Sequence, residues 1–250
     1  VGAGPCGYFS AYELNKKNPN LKILLVDKGL DITKRRCPVL EHKIDRCPMN
    51  PKGYNGCYPV CSITNGFGGA GAYSDGKFNI TTEFGGWLTD YMSEEELIDL
   101  IHYVDDINLH YGATKQITCP TSDEVLRIEK KAMSVGLKLL RSQVRHLGTE
   151  ENLKILTKIY NDMVKVVDMK FTTSVEDIII EDNQVKGIIT DKGERFEADY
   201  VVLAVGREGS NWLTGLFEKY HINMKQNRVD IGVRVECPNL VMEEINNNLY

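Results

Sequence analysis

Three closely spaced glycines set the first constraint. The chain opens VGAGPCGYFSAYEL, with glycine at positions 2, 4 and 7. In a G-x-G-x-x-G run the first glycine permits a tight turn, the second lets backbone approach a pyrophosphate, and the third lets a helix lie close against a strand. A helix is expected from Pro5 to about Asn18. Proline suits its first turn, whose free N–H groups and positive dipole end suit an anion. The apolar run LKILLVDKG at 21–29 then reads as a buried parallel strand ending at Asp27, twenty residues after Gly7. A carboxylate at that distance, on the tip of the second strand of a βαβ unit, is placed to bond the hydroxyls of a ribose. The first strand should precede Gly2, where only Val1 stands, so the chain is expected to be part of a longer one.

The 250 residues, 42% of them hydrophobic, suffice for a sizeable core in one large domain or two unequal ones. A net charge of -5 argues against nucleic acid as a partner. No apolar run approaches the ~20 residues of a membrane span. Seven cysteines, four of them between 37 and 61, look less like a disulfide framework than like thiols kept reduced, which implies the cytoplasm.

From Leu30 to Trp87 the sequence is dense in Gly, Pro, Cys and Asn, as in a long ordered loop, and loops of that length in compact domains usually carry function. Three helical stretches are expected next: from Ser93, from Thr121 to about His146, and from Thr149 to about Val167. Ser93 with Glu96 and Thr121 with Glu124 have capping-box spacing. The stretch from Lys170 gives short β-rich runs punctuated by EDNQ and DKGE, a three-stranded meander. YVVLAVG at 200–206 suits a central parallel strand whose carboxyl end faces a ligand crevice. A helix near 210–220 follows, and VDIGVRVECP reads as one more strand.

The segment GFGGAGAYSDGK carries its own signal. Gly66, Gly68, Gly69 and Gly71 would let backbone approach a flat ligand, while Ser74, Asp75 and Lys77 supply polar groups. With VGAGPCG, LLVDKG and VVLAVGREG, it gives an order of parts that resembles the two-dinucleotide-binding-domain flavoproteins. The GFGGAGAYSDGK run is similar to a signature of the uncharacterised bacterial FAD-dependent, or NAD-utilising, dehydrogenases.

That resemblance implies an α/β fold: a Rossmann-type parallel sheet binding FAD, with a β-meander, a helical insertion and the start of a second domain. The expected divisions are 1–87 and 169–220 for the FAD-binding domain, 88–168 for the insertion and 221–250 for the start of a substrate domain. The expected cofactor contacts are Gly2, Gly4, Pro5, Cys6 and Gly7 in the turn, Asp27 and Lys28 at the strand tip, and Gly68, Gly69, Ala70, Gly71, Ser74 and Lys77 in the second glycine-rich run. Val175, Ala204, Gly206 and Arg207 complete the set.

The implied activity is FAD-dependent oxidoreduction, passing a hydride or electrons between a small-molecule substrate and another partner, with NAD(P)H as a possible donor. No catalytic acid or base is legible, nor is the substrate. Two other readings stay open: an NAD(P)-dependent dehydrogenase, and a non-catalytic nucleotide- or metal-binding module. A meander followed by an apolar strand favours FAD over NAD.

Cys37, Cys47, Cys57 and Cys61 lie within 25 residues and could hold zinc or an iron–sulfur cluster, yet the stretch contains no CxxC pair. Redox-active thiols, their pKa lowered by Lys34, Arg35, Arg36 and Arg46, are a second reading, and inert loop thiols a third.

Overall fold

The computed structural model of the protein describes residues 1–47, 57, 60–225, 228–229 and 231–249. In chain order they form α1 (Pro5–Lys17), β1 (Leu24–Val26), a 3₁₀ turn (Gly69–Tyr73), β2 (Lys77–Ile80), a second 3₁₀ turn (Leu88–Asp90), α2 (Glu94–His110) and α3 (Asp123–Met133). β3 (Gln143–His146), α4 (Thr149–Met163), β4 (Asp168–Lys170), β5 (Val175–Glu181), β6 (Gln184–Thr190), β7 (Arg195–Glu197), α5 (Ser210–Lys219) and α6 (Asn239–Leu249) follow. The fold is α/β with a parallel sheet. Its contacts divide the chain into two compact units, Val1–Ser74 with Thr149–Met224, and Asp75–Gly148 with Lys225–Tyr250.

In the first unit β1 pairs in parallel with β4, Leu24 opposite Asp168 and Val26 opposite Lys170. Successive residues of a strand direct their backbone groups to opposite edges. The Asp27 N–H accordingly reaches the Lys170 carbonyl at 2.9 Å, while the Val26 carbonyl accepts from Gly2 N–H at 2.8 Å on the other edge. Ala204 N–H in turn bonds the Val1 carbonyl at 2.7 Å. The lateral order is therefore β4, β1, residues 1–3, residues 202–204.

The antiparallel meander β5–β6–β7 stands apart as a three-stranded sheet. Its first turn places Asp182 and Asn183 at φ +51° and +60°, the pair of left-handed residues that a two-residue hairpin requires. Ile178 and Ile188 from the meander, Val26 from β1 and Leu216 from α5 form a buried cluster. On α4, Asn152, Ile155, Leu156, Ile159 and Met163 are buried. They recur at helical spacing, so one face of α4 is sealed along its length. Tyr8, Phe67 and Tyr160 join α1, the second glycine-rich run and α4 through ring centroids 5.3 and 5.1 Å apart.

In the second unit β2 and β3 are antiparallel, Lys77 opposite His146 and Ile80 opposite Gln143. Ser93 caps α2 with the reciprocal Glu96 bond that its spacing predicts. Buried Arg145 of β3 grips buried Asp105 of α2 with Nε and Nη2, each at 2.6 Å, and also donates to the Thr114 carbonyl. This fork ties helix, sheet and loop together.

Several expectations change. The stretch 121–146 is one short helix and a strand, not one helix, and the cap is Ser122, whose side chain accepts from Val125 N–H, not Thr121. Gly136 lies at φ +76°, a conformation that ends a helix where an L side chain would be strained. Within the first unit, α4 packs on the Gly69–Tyr73 turn. The loop 30–87 contains that turn and β2. Residues 231–238 form no strand: Ile231, Val233 and Val235 are exposed, and a strand exists only where a neighbour pairs with it. Tyr200 and Val202 are exposed as well, so 200–206 is not the fully covered central strand expected.

Replacing Asp105 with alanine would leave the Arg145 charge buried without its carboxylate, at a cost of about 3–5 kcal/mol. The Asp105→Ala protein is therefore expected to melt well below the parent, with the loss read by hydrogen exchange in β2, β3 and α2. An unchanged melting temperature would show that the fork carries no stability.

Candidate functional site

The site grows from the end of β1. Asp27 is half-buried, and its carboxylate accepts three backbone N–H groups: Ala3 at 2.8 Å, Gly29 at 2.7 Å and Gly66 at 2.9 Å. One side chain thus fixes the first glycine turn, the exit from β1 and the start of the second glycine-rich run. The two runs also touch directly. Gly68 N–H donates to the Ala3 carbonyl at 2.8 Å, and a Cβ on Gly69, which sits at φ +56°, would lie 3.0 Å from Gly4 Cα. Gly7 allows α1 its close approach, since a Cβ there would come within 1.8 Å of the Gly2 carbonyl oxygen.

Gly4 differs from these. Its φ is −70°, open to any residue, and an added Cβ would meet nothing nearer than Gly69 Cα at 3.9 Å. Gly71 is similar, its nearest neighbour being Pro5 Cγ at 3.7 Å. Packing does not demand glycine at either position. Between them α1 begins with Pro5 in its first turn, no side-chain cap and no acidic residue. Cys6 is exposed and Ala70 is exposed, so this corner opens outward.

The second run is held from beneath by Arg35, which is fully buried. Its guanidinium donates to the carbonyls of Ser62 at 2.8 Å, Phe67 at 2.6 Å, Ile63 at 2.9 Å and Gly69 at 2.8 Å. Burial pulls its pKa down to about 10, far enough above neutrality that the group stays charged. The Tyr73 ring lies 5.0 Å from the cation, and its hydroxyl donates to the Arg35 carbonyl at 2.9 Å. From α4, buried Asn152 donates to the Gly71 carbonyl at 2.8 Å.

Among the expected cofactor residues, Gly2, Gly4, Pro5, Cys6, Gly7, Asp27, Gly68, Gly69, Ala70 and Gly71 belong to this one backbone arrangement. Lys28 pairs with Glu208 at 3.4 Å, which brings the strand tip to the loop holding Gly206 and Arg207. Ala204 is joined to Val1, and Gly206 turns the chain at φ +60°. Ser74 closes the 3₁₀ turn by bonding the Gly71 carbonyl at 2.7 Å. Two of the set are placed elsewhere: Val175 packs against the Val26–Ile178 cluster, and Lys77 lies in the second unit, paired with Asp75 at 3.2 Å.

All seven cysteines are free thiols. Burial pushes the Cys57 thiol pKa up, and nearby Cys61, Cys37 and Cys47 push it the same way. This is opposite to the lowering expected from neighbouring cations. Three of the four cations are engaged otherwise: Lys34 with Asp31 at 3.0 Å, Arg36 with Glu41 at 3.6 Å, and Arg35 with carbonyls. Among the described residues, no three His, Cys, Asp or Glu groups are arranged to hold a metal ion. Residues 48–56, 58 and 59 of the cysteine-rich stretch lie outside the described residues.

Residues 138–244 match the family model described as glucose inhibited division protein A. Among solved structures, the chain is similar to L-amino acid deaminase from Proteus vulgaris at 13% identity and TM-score 0.43, covering 89% of this chain and 49% of that one. Glycine oxidase from Bacillus cereus aligns at 18% identity and TM-score 0.34, over 88% of this chain and 58% of that one. Quinol fumarate reductase from E. coli aligns at 13% identity and TM-score 0.39, over 76% of this chain and 28% of that one. The chain thus spans less than two thirds of each of these proteins. No curated protein sequence matches it.

Substituting Arg35 with methionine would strip four carbonyls of their donor, at about 1–3 kcal/mol for each group left buried and unsatisfied. Arg35→Met is expected to lower the melting temperature and to raise amide exchange across 62–71 before the meander is affected. Exchange that stays at the parent rate in that segment would show that the guanidinium does not hold it.

Proposed function

We propose that this chain carries the FAD site of a flavin-dependent oxidoreductase, of the kind found in the bacterial NAD-utilising dehydrogenases that its glycine-rich runs resemble. The observation that carries the reading is at Gly4: glycine stands at an ordinary φ, with room for a side chain, at the uncapped start of a helix. A ligand that needs the backbone bare accounts for that residue, where packing does not. The N-terminus of α1 suits a pyrophosphate, since its dipole and backbone N–H groups favour an anion.

The residues present fit such a group. Backbone at Gly4, Cys6 and Gly7 would hold the pyrophosphate, and Asp27 the ribose. Three of the roughly four lone-pair sites of the Asp27 carboxylate are used by backbone N–H groups, which leaves one for a hydroxyl. Gly69 to Gly71 would border the pyrophosphate, and Gly206 with Arg207 would line the carboxyl edge of the sheet. When bound, the flavin supplies the hydride or electron transfer, and the chain's part is to bind and orient it. Arg35 and Asn152 engage the Gly69 and Gly71 carbonyls, which would otherwise repel an anionic ligand. The antiparallel meander, inserted before the 202–204 segment, favours FAD over a nicotinamide dinucleotide as the resident group. NAD(P)H as electron donor and a small organic molecule as substrate complete the proposal. Free thiols in all seven cysteines favour a reducing, cytoplasmic setting. Among the described residues no helix is long and apolar enough to cross a membrane.

Gly4→Val tests the carrying observation, because the fold has room for the side chain and the ligand does not. The variant is expected to keep the parent's melting temperature without cofactor and to lose FAD affinity by at least about tenfold, or 1.4 kcal/mol. Flavin absorbance after reconstitution reads the outcome, and parent-like binding would overturn the assignment of the turn. Asp27→Asn behaves differently: an amide nitrogen cannot accept a hydrogen bond, so it should lose both FAD affinity and thermal stability. Loss of neither would show that this carboxylate holds neither the ribose nor the glycine runs.

A further inference from the structure

A group of thiols that the proposed function does not use gathers beside the second glycine-rich run, and Arg35 sets where two of them lie. Its side chain holds the Ser62 and Ile63 carbonyls, which Cys61 directly precedes, while Cys37 follows Arg35 itself by two residues. Each of the two begins a closed turn. The Cys37 carbonyl accepts from Glu41 N–H at 3.0 Å, and the Cys61 carbonyl accepts from Asn65 N–H at 3.1 Å and Asn65 Nδ2 at 3.2 Å. Cys61 is within electrostatic reach of the Arg35 guanidinium, and Cys37 of the Tyr73 hydroxyl. Cys57 completes the group, since Cys61, Cys37 and Cys47 all act on it, Cys61 the most strongly. Cys37, Cys57 and Cys61 are half-buried, and Cys47 is exposed.

The chemistry open to such a group is narrow. Clustered thiolates repel one another, and the repulsion is relieved by a metal cation, by basic side chains, by protons or by an S–S bond. Among the described residues no three His, Cys, Asp or Glu groups are set to hold a metal, and Lys34 and Arg36 are paired with carboxylates. Two thiols of unlike surroundings remain. Burial and the neighbouring sulfurs raise the Cys57 pKa and keep it a thiol, whereas Cys61 lies beside the Arg35 cation. An attacking sulfur and a resolving sulfur need that asymmetry, because the thiolate is the nucleophile and the second thiol acts only afterwards.

We infer that Cys61 and Cys57 form a reversible thiol–disulfide couple that exchanges with small-molecule disulfides. The Cys61 thiolate attacks an external disulfide, whose S–S bond breaks to leave a mixed disulfide on Cys61 and one released thiol. Cys57 then gives up its proton and attacks the Cys61 sulfur, which forms the internal S–S bond and releases the second external thiol. Two protein thiols are oxidised and one external disulfide is reduced to two thiols. Only three residues separate the pair, and Cys61 is fixed by the turn that Asn65 closes. In a reducing setting such a link is transient, as in thiols that sense or pass on oxidation.

The test equilibrates the full chain in mixtures of reduced and oxidised glutathione, quenches it, alkylates free thiols with iodoacetamide and digests it with trypsin. Cys57 and Cys61 share the tryptic peptide 53–77, so their link appears as that peptide without label and two hydrogens lighter. At one fixed glutathione ratio, linked over free peptide is expected to be at least about tenfold higher in the folded chain than in urea, because the fold orients the sulfurs. Cys119 and Cys237 should remain open to alkylation. Cys37→Ser should leave the link intact, and Cys57→Ser should halt the exchange with glutathione held on Cys61. An equal ratio in urea, a preferred link from Cys57 to Cys37 or Cys47, or stoichiometric zinc on the purified chain that blocks the link would each overturn the inference.

Discussion

A buried guanidinium bound to main-chain carbonyls is the contact on which the candidate site depends. Arg35 spends its donors on Ser62, Ile63, Phe67 and Gly69, four residues of one short stretch. Carbonyls can converge in this way only where the chain curls around a donor, so the shape of the stretch is that of the fork it encloses. Above it, Asp27 collects three N–H groups from the opposite polarity of the same backbone. One cation gathers acceptors and one anion gathers donors. Together they stabilise two glycine-rich segments that have few side chains of their own to pack.

This division of labour explains why the glycines are not equivalent. Gly7 and Gly69 are glycine because backbone lies against backbone, whereas Gly4 and Gly71 face room that the fold leaves open. The first pair builds the corner and the second keeps it bare. A site for the phosphate portion of a nucleotide needs both, since anion recognition by N–H groups requires a rigid frame and an unobstructed approach.

Much of this was legible in the sequence, and the reasons are local. The Gly2–Gly4–Gly7 turn, Asp27 at the strand tip, the Ser93 cap and the EDNQ hairpin each rest on spacing over a few residues, which sequence displays directly. Arg35 was not legible as a tether, because a KRR run beside Cys37 reads as a set of cations for the thiols and its carbonyl partners lie 27 to 34 residues away. Asn152 did leave a signal: it holds the first position of the apolar α4 face, where a polar residue must find a partner. The long helix expected over 121–146 came from reading composition across Gly136, where a positive φ breaks the period. The strand expected at 231–238 has the right alternation, but pairing is not a property of one segment.

The lateral order of the parallel sheet has a consequence for how the chain reaches its native state. Val1 is hydrogen-bonded to Ala204, and β1 to β4 across more than a hundred residues, so neighbours in the sheet are remote in synthesis. Such pairings close large loops before they return any contact energy, which makes them late and slow to form. On a ribosome, α1 and the first glycine turn emerge early but have no finished edge until the 202–204 segment follows. Residues 75–148 form their own sheet and buried fork from contacts internal to that stretch, and can acquire them while the first unit is still open. The glycine-rich corner is thus among the last parts of the chain to be completed, and a ligand that bridges its two glycine runs would act as the closing fastener of a fold begun elsewhere.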